Sequence, residues 1–355
     1  MSSPISTNDS NPGAPVAVAG PIALNKKDFE TSQDVRWCPG CGDYSVLKQV
    51  QVALPKLGIP RENFVFISGI GCSSRFPYYM ETYGIHGIHG RAPAIATGLK
   101  LSRPELSVWV VTGDGDALAI GGNHFMHVIR RNVDLNIILL NNQIYALTKG
   151  QASPTTELDK RTKTSPTGSV DRPVDPVSLA LSLGATFVAR AVDIDQENVV
   201  DVLLRAAAHK GTSVVEIYQN CHIFNDGAFE LVSNKKLRDD NRVLLKHGEP
   251  LIFGAQRDKG IRMNGLALEV VTLGDGGYTE QDLIVHDEKA GQTGIAFLLS
   301  QMRAPRYPVP MGVFRDVEES SYEELVAEKQ EMVRRKKGKG DWDRLSHSGD
   351  YWVVK

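Results

Sequence analysis

The chain has 355 residues, of which 41% are hydrophobic and 23% charged, and its formal net charge is −2. This composition is ordinary for a globular protein and argues against disorder over most of the chain. The charge gives no electrostatic reason to expect binding to nucleic acid or to an anionic membrane. No apolar run is long enough to span a bilayer, and no basic-then-apolar signal peptide is found, so we expect a cytoplasmic protein.

The two ends of the chain differ in composition from its middle. Residues 1–34 are rich in Ser, Asn, Pro and Ala without periodicity, and we predict a flexible N-terminal arm there. Residues 35–230 carry the apolar pattern of a folded domain. Residues 231–355 are more charged and are predicted to form a C-terminal extension that packs on the domain or on a partner subunit. Its predicted helix over Tyr322–Lys337 has Glu and Lys at helical spacing, which is typical of a solvated face.

Apolar segments in the middle of the chain alternate between strand and helix patterns. Strands are predicted over residues 64–67, 107–112, 137–140, 186–189 and 213–218, and helices over residues 44–54, 92–101, 117–131, 177–183 and 196–209. A Gly/His loop covers residues 83–91, and a long loop rich in Thr, Ser and Pro covers residues 150–176. Strands that alternate with helices predict an α/β fold with a doubly wound parallel sheet.

The chain has four cysteines, and we expect them to bind a metal. In a cytoplasmic protein, thiols are better explained as metal ligands than as disulfides. Cys38 and Cys41 are two residues apart, with Pro and Gly between them, whereas Cys72 and Cys221 are single and distant. Zinc sites usually come as two close pairs. The pattern therefore favours an iron–sulfur cluster, with structural zinc as the alternative.

The most specific motif lies within residues 108–145. Its first strand ends at Gly113-Asp114-Gly115, a helix follows, and its second strand ends at Asn141-Asn142. This order is a βαβ unit, in which the carboxyl ends of both strands meet at one edge of the sheet. The spacing between Asp114 and Asn142 matches a crossover helix and a return strand.

The residues at this edge suit a diphosphate held through a cation. Gly113 and Gly115 allow a tight turn and close approach of a ligand, and the N-terminus of the following helix favours a phosphate. The Asp114 carboxylate repels a bare phosphate. A bridging Mg²⁺ removes that conflict, with the Asn142 amide oxygen and the Ile144 carbonyl as further oxygen ligands. The Gly-Asp-Gly and the later Asn resemble the thiamine-diphosphate signature; an α/β turn without a metal is the alternative.

The diphosphate motif and two of the four thiols are expected to lie close together. Each follows a predicted strand, at Cys72, Asp114, Asn142 and Cys221. Ligands of open α/β sheets bind at that edge. Thiamine diphosphate decarboxylates a 2-oxo acid and leaves two electrons to be removed, whereas a cluster carries one electron at a time. The combination indicates oxidative decarboxylation with a one-electron acceptor.

Several longer motifs resemble the β subunit of the 2-oxoacid:ferredoxin oxidoreductases. They lie in residues 35–228 and, more weakly, in residues 309–318. They read Trp-Cys-Pro-Gly-Cys-Gly, Gly-Ile-Gly-Cys-Ser-Ser-Arg, His-Gly-Arg-Ala, Gly-Asp-Gly-Asp-Ala and Asn-Asn-Gln-Ile-Tyr-Ala-Leu-Thr-Lys-Gly-Gln-Ala-Ser-Pro-Thr. The resemblance implies the thiamine-diphosphate-binding fold. It also implies one 4Fe–4S cluster on the four cysteines and Mg²⁺ on Asp114, Asn142 and Ile144.

The cofactor is expected to contact loops at the same edge. The residues expected to bind it are Gly71, Ser73, His89, Gly113, Gly115, Asp116, Ala117, Asn142 and Ile144. His89 either contacts the diphosphate or the substrate, or forms a loop-stabilising hydrogen bond. Asp116 either caps the helix or supports the metal ligands.

Arg75 and Lys149 are single cations in loops near the site, and we expect them to act on the substrate together with His89. A dicarboxylic 2-oxo acid needs a cation for its distal carboxylate. Similar pyruvate-specific enzymes often have Gly at the position of Lys149, so the lysine favours 2-oxoglutarate. Pyruvate or broad specificity, or two solvated surface cations, are the alternatives.

The resemblance also implies partners. Thiamine-diphosphate enzymes bind the cofactor between two domains, and only the domain that grips the diphosphate is recognisable here. We therefore expect an α subunit with the pyrimidine and coenzyme A functions, in an α2β2 heterotetramer, and ferredoxin as electron acceptor. The implied reaction is coenzyme-A-dependent oxidation of 2-oxoglutarate to succinyl-CoA, reversible as reductive carboxylation. A non-oxidative decarboxylase subunit with structural zinc and a ferredoxin-like electron carrier are the alternatives.

Overall fold

The computed structural model describes residues 24–354. Most of the arm predicted for residues 1–34 therefore lies outside the described part. Its last residues pack on the domain, since Lys26–Phe29 form a short 3₁₀ helix and Phe29 is fully buried with its ring edge-on to Phe64. This order comes from the burial of Phe29 and from hydrogen bonds to the domain, such as that from the Glu81 N–H to the Phe29 carbonyl at 3.1 Å. An argument from composition does not detect such contacts.

The described residues contain eleven strands in two sheets. The strands are β1 (Phe64–Ser68), β2 (Tyr83–His86), β3 (Ser107–Gly113), β4 (Leu135–Asn141), β5 (Phe187–Val192), β6 (Thr212–Tyr218), β7 (Arg242–Leu245), β8 (Ile252–Phe253), β9 (Lys259–Asn264), β10 (Ala267–Thr272) and β11 (Val309–Asp316). The main sheet has the order β2-β1-β3-β4-β6-β5-β11-β7, and β8 to β10 form a small antiparallel sheet. Strands β1 to β6 are parallel, whereas β11 runs antiparallel to β5. The region beyond residue 230 thus adds β7 and β11 to the main sheet.

Helices cover both faces of the main sheet, as predicted for a doubly wound fold. The helices are α1 (Asp43–Ala53), α2 (Ala92–Ser102), α3 (Asp114–Leu118), α4 (Gly122–Arg131), α5 (Pro176–Ser182), α6 (Gln196–Ala208), α7 (Glu230–Ser233), α8 (Arg238–Asn241), α9 (Gly294–Ser300), α10 (Tyr322–Lys337) and α11 (Trp342–Ser346). Successive side chains of a strand point to opposite faces. In β3, Val108 and Val110 pack in one core with α2 and α4, while Trp109 and Val111 pack in the other with α1 and α6.

Two local predictions are wrong. The single helix expected over residues 117–131 is divided into α3 and α4, because the chain turns between them. At that turn Gly90 packs so closely that a Cβ on it would lie 2.5 Å from the Gly121 nitrogen. Residues 83–86 of the predicted Gly/His loop form β2, an exposed edge strand paired with β1. Because all its side chains are exposed, β2 lacks the alternation of apolar and polar residues that would predict a strand.

The C-terminal helix α10 agrees with its prediction. It is the longest helix among the described residues, with 16 residues, and none of them is buried. A capping box begins it, with Ser321 accepting a hydrogen bond from the Glu324 backbone N–H. None of the described helices combines the length and the apolar character needed to cross a membrane.

Candidate active site at the carboxyl edge of the sheet

A cavity opens at the carboxyl ends of β1, β3 and β4, and we call it the carboxylate cavity. It is lined by ten residues that the sequence assigned to the site: Gly71, Cys72, Ser73, His89, Gly113, Asp114, Gly115, Asp116, Asn142 and Ile144. Ala117 is buried and is not among the lining residues. The cavity holds about 160 Å³, whereas ligand pockets typically hold roughly 300–1,000 Å³. The chain therefore supplies one part of a binding site.

Asp114 is one of three buried carboxylates that line this cavity. It is the first residue of α3, and its Oδ2 accepts hydrogen bonds from the hydroxyls of Ser153 at 2.5 Å and Thr155 at 2.6 Å. Burial raises the pKa of Asp114 to about 6, although these two donors act in the opposite direction. An adjacent cation favours the charged form of such a group. The donor chemistry at this position therefore fits a hard divalent ion.

Asn142 and Ile144 reach the same cavity from the end of β4. The Ile144 backbone N–H donates a hydrogen bond to Asn142 Oδ1 at 3.1 Å, which closes a tight turn. The Asn225 side chain donates to the Asn142 carbonyl at 2.9 Å and fixes the turn from the neighbouring segment. An amide oxygen has two lone pairs, so Asn142 Oδ1 keeps capacity for a second partner.

Asp116 organises the loops around the cavity. Its Oδ1 accepts hydrogen bonds from the backbone N–H groups of Ile70 at 3.0 Å and Gly90 at 2.7 Å, and its Oδ2 accepts one from the Thr112 hydroxyl at 2.8 Å. His89 Nδ1 lies 2.5 Å from the same Oδ1. Asp116 thus joins two loops to the end of β3, and His89 is held by it at the cavity wall.

Two glycines of the motif pack closely against other residues, and neither has the left-handed backbone that favours glycine. A Cβ on Gly115 would lie 2.1 Å from Cε1 of Tyr145, whose hydroxyl donates a hydrogen bond to the Gly115 carbonyl at 3.1 Å. A Cβ on Gly113 would lie 3.3 Å from Ser73 Oγ. Side chains at these positions would push the loops apart and change the shape of the cavity.

A second cavity, of about 140 Å³, is lined by all four cysteines, and we call it the thiol cavity. Burial raises the pKa of the Cys41, Cys72 and Cys221 thiols, that of Cys72 to about 12. The Asp43 charge acts in the same direction on each of them, and Cys221 and Cys72 affect Cys41. Three buried thiols with raised pKa values, in one cavity with Cys38, fit a positively charged metal, which favours thiolates.

The two cavities adjoin each other. They share Cys72, Asn142, Ala146 and Leu147 as common lining residues. The side chain of Asp114 and the four thiols therefore face neighbouring spaces on one edge of the sheet. Within residues 24–354, no three His, Cys, Asp or Glu side chains converge on a single position for a metal ion.

Arg75 and Lys149 line the thiol cavity and not the carboxylate cavity. The Arg75 guanidinium donates a hydrogen bond to the Arg36 carbonyl at 3.0 Å. Lys149 is exposed and has a φ of 82°, a left-handed conformation that residues with a side chain rarely adopt. The backbone of Lys149 is therefore in a conformation suited to glycine.

Comparison with known proteins identifies the family. Residues 69–217 match the family described as thiamine pyrophosphate enzyme, C-terminal TPP binding domain. The chain is 50% identical over 331 residues to the 2-oxoglutarate oxidoreductase subunit KorB of Mycobacterium tuberculosis, covering 92% of this chain and 88% of that protein. It is 45% identical over 192 residues to a 2-oxoacid:ferredoxin oxidoreductase subunit beta from Sulfolobus, covering 54% of this chain and 63% of that protein. The chain belongs to the β subunits of the 2-oxoacid:ferredoxin oxidoreductases.

A solved structure is similar to this β subunit over most of its length. The structure is the 2-oxoglutarate:ferredoxin oxidoreductase from Magnetococcus marinus with 2-oxoglutarate, coenzyme A and succinyl-CoA bound. The TM-score is 0.72 at 31% identity, and the match covers 91% of this chain and 94% of that chain. The predicted thiamine-diphosphate fold, the cofactor thiamine diphosphate and an oxidoreductase subunit that works with an α subunit are confirmed.

Three residues of the site in this β subunit were missed or misjudged from the sequence. Asp43, the first residue of α1, lines the carboxylate cavity. Its carboxylate oxygens are buried and have no nitrogen or oxygen partner among residues 24–354, and burial raises its pKa to about 7. Ser153 and Thr155 belong to the Gln-Ala-Ser-Pro-Thr motif, and no role was predicted for either of them. That motif was their signal, but nothing in it indicated contact with Asp114.

Proposed function

We propose that this β subunit binds Mg²⁺-thiamine diphosphate in the carboxylate cavity and one 4Fe–4S cluster in the thiol cavity. With its α subunit it would convert 2-oxoglutarate and coenzyme A to succinyl-CoA and CO₂, pass the electrons to ferredoxin, and run in reverse as reductive carboxylation. One observation carries the proposal: the two cavities share Cys72, Asn142, Ala146 and Leu147 as a common wall. Cofactor and cluster would then lie one layer of side chains apart.

The metal ligands proposed for the diphosphate are Asp114, Asn142 and Ile144. Support comes from their common cavity, from the burial of the Asp114 carboxylate and from the oxygen donors that Mg²⁺ prefers. Thiamine diphosphate supplies, when bound, the carbon nucleophile that attacks the 2-oxo acid. The residues of this chain hold the diphosphate, and Asp116 keeps the loops that carry Ile70 and Gly90 in position around it.

The cluster ligands proposed are Cys38, Cys41, Cys72 and Cys221. A single zinc ion needs four ligands that converge at about 2.3 Å from one centre. A 4Fe–4S cluster takes one thiolate at each of four irons, so its ligands surround a space. The four thiols line one cavity. One close pair with two distant single cysteines is a pattern that favours the cluster over zinc.

Substrate selection is assigned to Lys149 and Arg75, with His89 held at the wall of the neighbouring cavity. The strained backbone of Lys149 supports a functional use of its ammonium group, and a cation suits the distal carboxylate of 2-oxoglutarate. The relatives named for 2-oxoglutarate support the same substrate, while pyruvate or broad specificity is the alternative. An α2β2 assembly is proposed, and a cytoplasmic location stays a prediction from the sequence.

The test uses the complex of α and β subunits purified without oxygen. We expect a brown protein whose broad visible absorbance bleaches with dithionite. It should reduce viologen in a coenzyme-A-dependent reaction, fastest with 2-oxoglutarate when several 2-oxo acids are compared at equal concentration. A colourless complex that contains zinc would contradict the cluster assignment. Equal rates with pyruvate and 2-oxoglutarate would contradict the substrate assignment.

A further inference from the structure

The Asp114 carboxylate is held by a loop that lies about 40 positions further along the chain. Ser153 and Thr155 of that loop both place their hydroxyls on Oδ2 of Asp114, at 2.5 and 2.6 Å. All three residues are at least nine-tenths buried, with exposed fractions of 8%, 2% and 3% respectively. Oδ2 of Asp114 thus accepts hydrogen bonds from two neutral hydroxyls. These bonds fix the rotation of the carboxylate group and therefore the direction in which Oδ1 points.

Thr155 is itself fixed by Asn141, the last residue of β4. Thr155 Oγ1 lies 2.9 Å from Asn141 Oδ1 as well as beside Asp114, so the two acceptors share its single proton. The orientation of the Asn141 amide is set by the Gln143 backbone N–H, which can only donate and lies 3.1 Å from Oδ1. The amide nitrogen therefore points the other way, to Glu216 Oε1 at 2.8 Å.

Glu216 anchors the far end of this series of bonds. The Arg190 guanidinium donates to Glu216 Oε2 at 2.6 Å and to Asp175 Oδ2 at 2.7 Å, and both Arg190 and Glu216 have no exposed surface. The bonds run from the start of α3, directly after β3, across β4 and β6 to β5, which are three neighbouring strands of the main sheet. Buried, paired groups of this kind keep their neighbours in one arrangement.

The loop is also anchored independently of Asp114. The Ser153 backbone N–H donates to the Thr156 hydroxyl at 2.7 Å, and that hydroxyl donates to the Gln143 carbonyl at 2.7 Å. The Val174 N–H donates to the Pro154 carbonyl at 2.8 Å. Removing the Thr155 hydroxyl should therefore leave the loop in place and change only what holds the carboxylate.

We propose that Ser153 and Thr155 are positioning residues that aim the Asp114 carboxylate at the divalent cation of the diphosphate, with Asn141 holding Thr155 in place. The inference rests on the cation site proposed above. Neither hydroxyl needs to touch the cation, because both act through Asp114. Partners of this kind around metal ligands typically account for about 10- to 100-fold in metal affinity.

The experiment measures binding of Mn²⁺, an oxygen-preferring ion that can replace Mg²⁺, to the oxidised α/β complex with and without thiamine diphosphate. Free Mn²⁺ is followed by its EPR signal, so no turnover is needed. We expect Thr155→Val to raise the Kd for Mn²⁺ by about 10- to 100-fold, and Thr155→Ser, which keeps the hydroxyl, to restore wild-type affinity. Ser153→Ala should weaken binding in the same direction and carries the test if Thr155→Val does not fold.

The matched control is Thr186→Val. It removes another buried threonine hydroxyl, one bonded to Asn132 at 2.7 Å and His209 at 2.8 Å near the opposite edge of the sheet. Its Kd for Mn²⁺ should equal that of the wild type.

Wild-type affinity in both Thr155→Val and Ser153→Ala would overturn the inference, and so would equal weakening by Thr155→Ser and Thr155→Val. If the wild-type complex shows no Mn²⁺ binding that depends on thiamine diphosphate, the cation site itself fails and the inference fails with it. Thermal unfolding of each variant is recorded in parallel. A loss of stability without a change in Kd would assign the hydroxyls to folding alone.

Discussion

The two adjoining cavities have opposite electrostatic character. The carboxylate cavity is lined by Asp43, Asp114 and Asp116. The thiol cavity is lined by Arg36, Arg75 and Lys149, and no carboxylate is found among the described residues that line it. A formal net charge of −2 for the whole chain hides this local separation.

The difference follows from what each cavity is proposed to hold. Buried carboxylates are stabilised when a cation lies beside them, which suits the metal of a diphosphate. Four thiolates around a cluster carry negative charge, which neighbouring arginine and lysine side chains offset. Separate charge environments across one shared wall let a cation site and an anionic cluster site lie close together.

Replacing the Asp114 carboxylate should have the largest effect. Asp114→Asn removes the negative charge but keeps nearly the same volume, and we expect the affinity for thiamine diphosphate in the presence of Mg²⁺ to fall by at least about 100-fold, the upper end of what indirect metal partners contribute. Calorimetric titration of the complex measures the change. Asp171→Asn, in the exposed part of the long loop, is the control. Unchanged affinity in Asp114→Asn would mean that this cavity does not bind a cation.

The thiol cavity is tested by Cys221→Ser. We expect the complex to lose its broad visible absorbance and most of its bound iron, because an alcohol is a far weaker ligand for iron than a thiolate. Binding of thiamine diphosphate to the same protein should persist, which shows that the fold is intact. Iron content and colour equal to those of the wild type would remove Cys221 from the proposed ligands.

A smaller effect is expected for Lys149, a cation that lines the thiol cavity. Lys149→Ala should raise KM for 2-oxoglutarate by about 10- to 100-fold, as for a lost hydrogen bond between charged groups of about 1.5–3 kcal/mol. The KM for pyruvate, which lacks the distal carboxylate, should change much less. Lys163→Ala is the control, because its ammonium group lies over the Phe224 ring and not on the cavity wall. Equal changes for both substrates would contradict the proposed role.

The smallest effect concerns the backbone at the same residue. Lys149 has a φ of 82°, so Lys149→Gly should relieve the strain of the left-handed backbone, whereas Lys149→Ala should retain it. We expect the glycine variant to be more stable than the alanine variant by up to about 1 kcal/mol, since the strain at a residue with a Cβ costs about 1–2 kcal/mol and glycine loses some entropy on folding. Denaturant unfolding of both variants measures this, while their KM values should agree. A less stable glycine variant would show that the left-handed backbone is not strained.

Much of the site could be predicted because local patterns carry it. Gly113, Asp114 and Asn142 follow apolar runs of β-rich sequence, and parallel strands bring their carboxyl ends to one edge. Cys72 and Cys221 were expected at the same edge, and both line one cavity there together with Cys38 and Cys41. In each case a short sequence pattern and one rule of topology were enough.

The remainder depends on contacts that no short pattern records. Thr155 meets Asp114 only because a long loop folds back over the sheet, and Asp43 enters the carboxylate cavity from the helix after the cysteine pair. Between α3 and α4, Gly90 packs closely on Gly121, and no short motif indicates this contact. The strand order of the main sheet could not be predicted from the sequence either. Its strands β5 and β11 pair antiparallel, although about 120 residues separate them in the chain.

The position of β11 has a practical consequence for work with shortened chains. A fragment that stops at residue 230 would lack both β7 and β11 and would leave β5 with an open row of backbone donors and acceptors. Such edges promote self-association and aggregation. Expression of the cofactor-binding region alone should therefore extend at least to Asp316, where β11 ends.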